Sequence, residues 1–271
     1  MGRTYDTISF LSDYGLADEF VGVVHSVIRS IAPHAAVIDI SHEIPPHDVR
    51  AGSLTLVRAV QYLAPGVVLA VVDPGVGTAR RAVAIEVGDD GEAVFVGPDN
   101  GLMAAAVSMV GGAGRAVELT NEAYHLPSPG PTFAGRDIFA PAAAQLCCGR
   151  DLSELGTDID PVTLTPGLVP LPRHEGDNLE IEVLWVDRFG NVQLNVGPDD
   201  VVDFGDRITV RWGSQVRTAA RVGTFEEIAA GQLGLVVDSY GLLSLSLNRA
   251  SAADELGLAA GDGVTLHAPS G

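Results

Sequence analysis

Hydrophobic positions along the first half of the chain follow two rhythms. Near-continuous apolar runs occur at Thr7–Ser12 (TISFLS), Val37–Ile40 (VIDI) and Val67–Val72 (VVLAVV). Between them, apolar residues recur at three- and four-residue spacing. Runs without polar alternation fit strands buried on both faces, and the longer spacing fits amphipathic helices. The spacing predicts one helix, capped by Asp18 or the residues just before it and running through about Ile31, on Phe20, Val23, Val24, Val27, Ile28 and Ile31. A second runs from about Asp48 to Tyr62. Strands near Ala82–Val87 and Ala93–Val96, joined by an Asp89-Asp90-Gly91 turn, precede a strand near Ala116–Leu119 and a helix from about Asp137 to Cys148. Strands alternating with helices predict an α/β domain with a largely parallel sheet.

From about Asp158 to Asn178 the chain is rich in proline and glycine without a period, as in a linker. Beyond it the pattern is β throughout, with strands at Leu179–Val186, Val192–Val196, Arg207–Trp212, Val216–Val222, Leu233–Val237, Leu242–Leu247 and Gly263–His267. Short strands separated by turn signals predict a small antiparallel barrel or sandwich. The expected organisation is an α/β domain at 1–160, a linker at 161–177 and a β domain at 178–271.

Charge narrows the partners. The net charge is −19, and all 16 basic residues are arginine. So acidic a surface repels phosphate, which argues against nucleic acid and anionic membranes. With no lysine, Schiff-base and P-loop chemistry are excluded. Cys147 and Cys148 are adjacent, a spacing that suits neither a disulfide framework nor a metal site. With no apolar run long enough to span a bilayer and no signal-like N-terminus, a cytoplasmic protein is expected.

Candidate chemistry collects at strand ends. The apolar run at Val67–Val72 opens directly into Asp73-Pro74-Gly75-Val76-Gly77, with Arg80 and Arg81 close behind. A carboxylate after a buried strand, beside a glycine-rich turn, sits where open α/β sheets bind ligands. Similar motifs are Ser12-Asp13-Tyr14-Gly15, Pro98-Asp99-Asn100-Gly101, Thr132-Phe133-Ala134-Gly135-Arg136-Asp137 and, later, Asp187-Arg188-Phe189-Gly190-Asn191. Each alone has a plain alternative. Asp73 and Arg80 can be a surface ion pair, Asp99 and Asn100 a turn and helix cap, Arg136-Asp137 a helix N-terminus, and His42 a structural loop histidine.

Taken in order, FLSDYG, HEIPPHD, VVDPGVGTARR, VGPDNGL, PTFAGRDIFAP, DRFGNVQLN and DSYGLLSLSLN resemble the S-adenosylmethionine (SAM) hydrolases that form adenosine. These are the SAM hydroxide adenosyltransferases, relatives of the SAM-dependent fluorinase and chlorinase. The resemblance implies an N-terminal α/β domain, a C-terminal antiparallel β-barrel, and a homotrimer with active sites between subunits. It implies hydrolysis of SAM to adenosine and L-methionine by in-line attack of water at ribose C5′, with no cofactor and no metal. Asp73 and Arg80 would then hold the attacking water. Asp13 would hold the ribose hydroxyls, and His47 would pack against the ribose and the water pocket. Val76 and Gly135 are further contacts. Asp187 would take the methionine ammonium and Ser239, beside Tyr240, its carboxylate. Asn191, Phe189, Leu247 and Arg249 would recognise adenine.

One position departs from the family pattern. The hydrolases carry histidine where this chain has Ala134. All seven histidines lie elsewhere, with His125 nine residues earlier. Unless one of these histidines takes its place, Ala134 marks an impaired natural variant or an engineered knock-out, in which SAM contacts survive. Two alternatives remain at this level. One is a SAM- or adenosine-binding protein without turnover. The other is a metal-dependent hydrolase using Asp13, Asp73, Asp99 and Asp137, which the neighbouring Arg80 and Arg136 disfavour.

Overall fold

The computed structural model describes residues 2–88, 91–176 and 178–267. Asp89 and Asp90 of the expected turn lie outside the described residues. The chain divides into two compact units between Leu168 and Val169.

The first unit is a covered sheet. Its elements are β1 (Thr7–Ser12), α1 (Phe20–Ile31), β2 (Ala36–Ser41), α2 (Val49–Val60), β3 (Gly66–Val71), β4 (Ala82–Val87), β5 (Ala93–Pro98), α3 (Ala104–Met109), β6 (Ala113–Glu118), α4 (Ala140–Cys147) and β7 (Thr157–Ile159). Strand order is β2-β1-β3-β5-β4-β6-β7. The β2-β1-β3-β5 part is parallel, and β4, β6 and β7 extend it antiparallel. Every residue of β3 is buried, as its unbroken apolar run requires. Its Val67, Leu69 and Val71 pack with Val24 and Ile28 of α1 and with the alanine-rich α4. On the other face α2 pairs with α3.

The boundaries moved at two places. Asp18 does not cap α1. The helix begins at Phe20, and its N-cap Glu19 makes no side-chain capping bond. Val21, rather than Val23, is buried with Val24 and Ile28, because the helix presents a narrower face than the full apolar set. By contrast Asp48 caps α2, accepting from Ala51 N at 2.8 Å. The proline-rich stretch also begins later than its composition suggests, since Asp158 and Ile159 belong to β7, which pairs with β6.

The second unit holds β8 (Arg173–Glu175), β9 (Asn178–Val186), β10 (Val192–Leu194), β11 (Arg207–Trp212), β12 (Gln215–Arg221), β13 (Leu233–Val237), β14 (Leu243–Ser246), α5 (Ala252–Leu256) and β15 (Gly263–His267). The β10–β9 pairing closes β10-β14-β13-β12-β11-β15-β9 into a seven-strand barrel, with β8 appended to β9. Alternate residues Leu179, Ile181 and Val183 of β9 enter the core, the period of a half-buried strand. Two features depart from the all-antiparallel expectation. β12 and β13 pair in parallel. The helix α5, capped by Ser251, interrupts the β pattern because its apolar run is too short to register as helical spacing.

Candidate active site

β1 and β3 are adjacent and parallel, with Ser12 opposite Val71. The chain passes from β1 outward to β2 and then returns to β3 on the other side, so their C-terminal ends flank a topological switch point. Open α/β sheets bind ligands in that crevice. Asp13 and Asp73 follow these two strand ends directly.

Asp73 meets Arg80 two-pronged. Arg80 Nε donates to Oδ1 at 3.0 Å, and a terminal nitrogen donates to Oδ2. The side chains are only 6% and 12% exposed, so this is a buried pair rather than the surface pair that the sequence left open. Arg80 also lies over the Phe139 ring at 5.3 Å, which fixes the guanidinium plane. Asn100, from the turn after β5, donates to Val72 O at 2.8 Å and ties that turn to the peptide before Asp73.

Asp13, Tyr14, Phe20, Pro46, His47, Asp73, Val76, Thr132, Phe133, Ala134 and Gly135 line a cavity of about 230 Å³. It thus gathers every first-unit candidate except Arg80, which contacts Asp73 without lining the space. His47 takes the left-handed region, with φ +67°, and its N–H donates to Asp13 Oδ2 at 2.9 Å. Such a backbone in a non-glycine residue is rare outside turns and ligand clamps. Of the seven histidines, His47 alone is among the lining residues. His125 is not, and burial lowers its pKa.

Tyr14 was not singled out from the sequence, although it belongs to one of the motifs. Its ring meets Phe10, Phe20 and Phe133 at 6.4, 5.7 and 5.6 Å. Burial, with Asp13 and Asp73 nearby, pushes its phenol far above the ordinary value of 10.0, so it stays a neutral hydroxyl. The same hydroxyl explains Gly135, where a Cβ would fall 2.1 Å from Tyr14 Oη. Ala134 precedes a π-helical turn, Gly135–Phe139, a wide geometry common at functional sites.

Other strand-end groups are structural. Arg81 binds Asp99 Oδ2 at 2.9 and 2.6 Å, and Asp99 Oδ1 accepts from Thr165 N at 2.7 Å, which fastens the segment after β7. Asp137 is held by its neighbour Arg136 at 2.6 and 3.0 Å. Among the described residues Asp13, Asp73, Asp99 and Asp137 do not converge as metal ligands.

In the second unit, Asp187 organises its own turn. Its Oδ1 accepts from Phe189 N at 2.8 Å and Asn191 N at 2.9 Å, and Oδ2 accepts from Asn191 Nδ2 at 2.8 Å. The turn requires Gly190, with φ +80° and a virtual Cβ 2.1 Å from Ser251 Oγ. It presents Phe189 outward, 77% exposed. Phe189, Asn191, Leu247 and Arg249 line an open groove of about 990 Å³, joined by Phe225. Asp187, Ser239 and Tyr240 do not line it. Ser239 and Tyr240 sit on a turn pinned by Asp238, which accepts from Tyr240 N at 2.8 Å and from Gln193 Nε2 at 2.5 Å. Neither Gln193 nor Asp238 was foreseen. Their bond joins residues 45 positions apart, and a lone glutamine in a strand carries no signal of it.

An α/β unit with a buried carboxylate–guanidinium pair at its switch point, followed by a barrel bearing an exposed aromatic turn, defines a small-molecule-binding protein of two domains. Residues 8–156 match the SAM hydroxide adenosyltransferase N-terminal domain, and residues 181–265 match the C-terminal domain of the same family. The (R)-S-adenosyl-L-methionine hydrolase of Salinispora tropica is 46% identical over 261 residues, covering 96% of this chain and 97% of the relative. That of Thermus thermophilus is 42% identical over 278 residues, covering 96% and 98%. The crystal structure of an uncharacterized conserved protein from Thermotoga maritima superposes with a TM-score of 0.87 at 36% identity, covering 96% of this chain and 99% of that one. The chain belongs to the SAM hydroxide adenosyltransferase family.

Proposed function

We propose that this protein hydrolyses SAM to adenosine and L-methionine, by in-line attack of water at ribose C5′. The observation that carries the reading is the Asp73–Arg80 pair at the β1–β3 switch point, opening on a cavity that Asp13, His47 and Ala134 also line. It stands in a chain that aligns with named hydrolases over 96% of its length.

The sulfonium of SAM is already a good leaving group, so the protein has mainly to place one water in line and help remove its proton. Asp73 lines the cavity and accepts from that water. Arg80 holds the carboxylate in one plane and supplies positive charge where hydroxide character develops. Asp13 takes the ribose hydroxyls beside His47. Ala134 offers only a methyl group to the same space, so the third proton-handling group of the family is missing and turnover is slow. A positioned general base or acid is worth about 100- to 10,000-fold.

The sites are shared within a homotrimer, and the protein is cytoplasmic. What supports sharing is size. A cavity of about 230 Å³ is smaller than the roughly 300–1,000 Å³ of complete small-molecule sites. Phe189 and Asn191, the adenine-recognising candidates, belong to the second unit and line a groove there. Asp187 and the turn at Ser239 and Tyr240 would receive the methionine end.

The test is adenosine and methionine release from SAM, measured chromatographically, for this chain and for Ala134→His. The expected result is slow release that rises about 100- to 10,000-fold in the variant. Tight SAM binding with no product from either protein would replace this reading with the non-catalytic binding protein.

A further inference from the structure

Away from the cavity, His25 on α1, Asp39 on β2 and His42 just after β2 converge at the edge of the sheet. Their ligand-type atoms all lie within 4.8 Å of one another, the one such group of histidine, cysteine or carboxylate side chains among the described residues. His25 Nε2 is 2.9 Å from Asp39 Oδ1, and His42 Nε2 is 3.0 Å from the same oxygen.

Two histidines sharing a surface aspartate would be the ordinary account, but His42 does not fit it. Its side chain is 3% exposed, and its Nε2 has no hydrogen-bond partner. Asp39 Oδ1 lies 3.0 Å away, but the contact does not align as a full hydrogen bond. A buried ring nitrogen without an aligned partner is costly, and a nitrogen and a carboxylate oxygen set side by side at this distance are placed as two ligands around a third atom. The other ring nitrogen, Nδ1, lies 2.8 Å from Ser12 Oγ, which also accepts from Tyr14 N at 3.3 Å. Such an outer hydrogen bond is what fixes the tautomer and orientation of metal-bound imidazoles. Phe10 braces both rings, with centroids 4.6 Å from His42 and 6.1 Å from His25.

We propose that His25, Asp39 and His42 bind a divalent transition-metal ion, with Zn²⁺ the best match. Zinc–ligand bonds of about 2.0–2.1 Å place tetrahedral ligands roughly 3.3 Å apart, a few tenths of an ångström beyond the two spacings seen. Two imidazoles and one carboxylate suit zinc rather than magnesium or calcium, which take oxygen. His25 and Asp39 are open to solvent, which leaves the fourth position to water. The site departs from the sequence reading, in which His42 is only structural and no metal is expected. It is independent of the reaction assigned above. The ion ties α1, β2 and the following loop together, directly behind the Ser12–Gly15 turn.

The test uses untagged, chelator-stripped protein titrated calorimetrically with Zn²⁺ alone and spectroscopically with Co²⁺ alone. One equivalent per chain is expected, with the visible bands of tetrahedral Co²⁺. Saturating Zn²⁺ should raise the thermal midpoint by several degrees. His25→Ala, at a half-exposed helix position, should abolish uptake, and Asp39→Asn should do the same. Ser12→Ala should weaken binding about 10- to 100-fold. Failure to take up Zn²⁺, or uptake with unchanged affinity in both His25→Ala and Asp39→Asn, would overturn the proposal.

Discussion

Gly135→Ala places a methyl group where the Tyr14 hydroxyl now lies. The added Cβ falls 2.1 Å from Tyr14 Oη, 3.0 Å from Cζ and 3.2 Å from Cε2. Non-bonded heavy atoms rest at about 3.5 Å or more, so the hydroxyl has to retreat by roughly 1.4 Å. Phe10, Phe20 and Phe133 meet the Tyr14 ring on three sides, so its retreat is into the cavity that it lines. Overpacking of this kind costs about 1–3 kcal/mol. Urea unfolding followed by circular dichroism should show that loss, and calorimetry should show weaker SAM binding, because both residues line the cavity. The double variant Tyr14→Phe/Gly135→Ala removes the closest atom and leaves a 3.0 Å contact that small shifts relieve. It should recover most of the stability. If Gly135→Ala unfolds at the parent's urea concentration, or if Tyr14→Phe gives no rescue, the tyrosine hydroxyl is not what demands glycine here.

Three further outcomes follow from the same geometry. Asp73→Asn leaves the Arg80 guanidinium buried without its counter-charge, so stability should fall by about 3–5 kcal/mol in urea titration, and adenosine release by Ala134→His should vanish with it. If sites are shared between subunits, an Ala134→His protein carrying Asp73→Asn and another carrying Phe189→Ala should each be poor, and refolding the mixture should restore part of the adenosine release. Burial lowers the pKa of His125 against the raising influence of Glu122. The unfolded chain therefore takes up the proton first as pH falls below 6.5, so the contribution of His125 to stability is present above that pH and is lost on acidification. His125→Gln should flatten the acid slope of the urea midpoint.

What could be read from the chain was local, and what could not depended on topology. The unbroken run at Val67–Val72 announces a doubly covered strand because no polar position interrupts it. Asp13 and Asp73 were visible as strand-end carboxylates because motif and strand are contiguous. Asp187 and Asn191 lie four residues apart, and their turn closes on itself. By contrast, Phe20 reads as one more apolar residue of α1, and Phe133 as a neighbour of Ala134. Only the fold brings them around Tyr14. Asn100 reads as a turn residue, and nothing near it in sequence reveals that its amide reaches Val72, 28 positions earlier. His42 is similar, because its buried nitrogen acquires meaning only when α1 and β2 are placed beside it.

The loop that follows β2 is fastened to the end of β1 at two points. Gly15 N–H donates to His42 O at 2.8 Å, and His47 N–H donates to Asp13 Oδ2 at 2.9 Å. The second fastening uses the carboxylate proposed to hold the ribose, so substrate and loop meet at one group. The two equilibria must then be linked. A ligand that steadies Asp13 steadies the loop, and whatever steadies the loop tightens the ligand by the same factor. The His47 amide thereby becomes a built-in gauge. Its exchange rate in deuterated solvent should track occupancy of the site, with no label on the substrate and no turnover required.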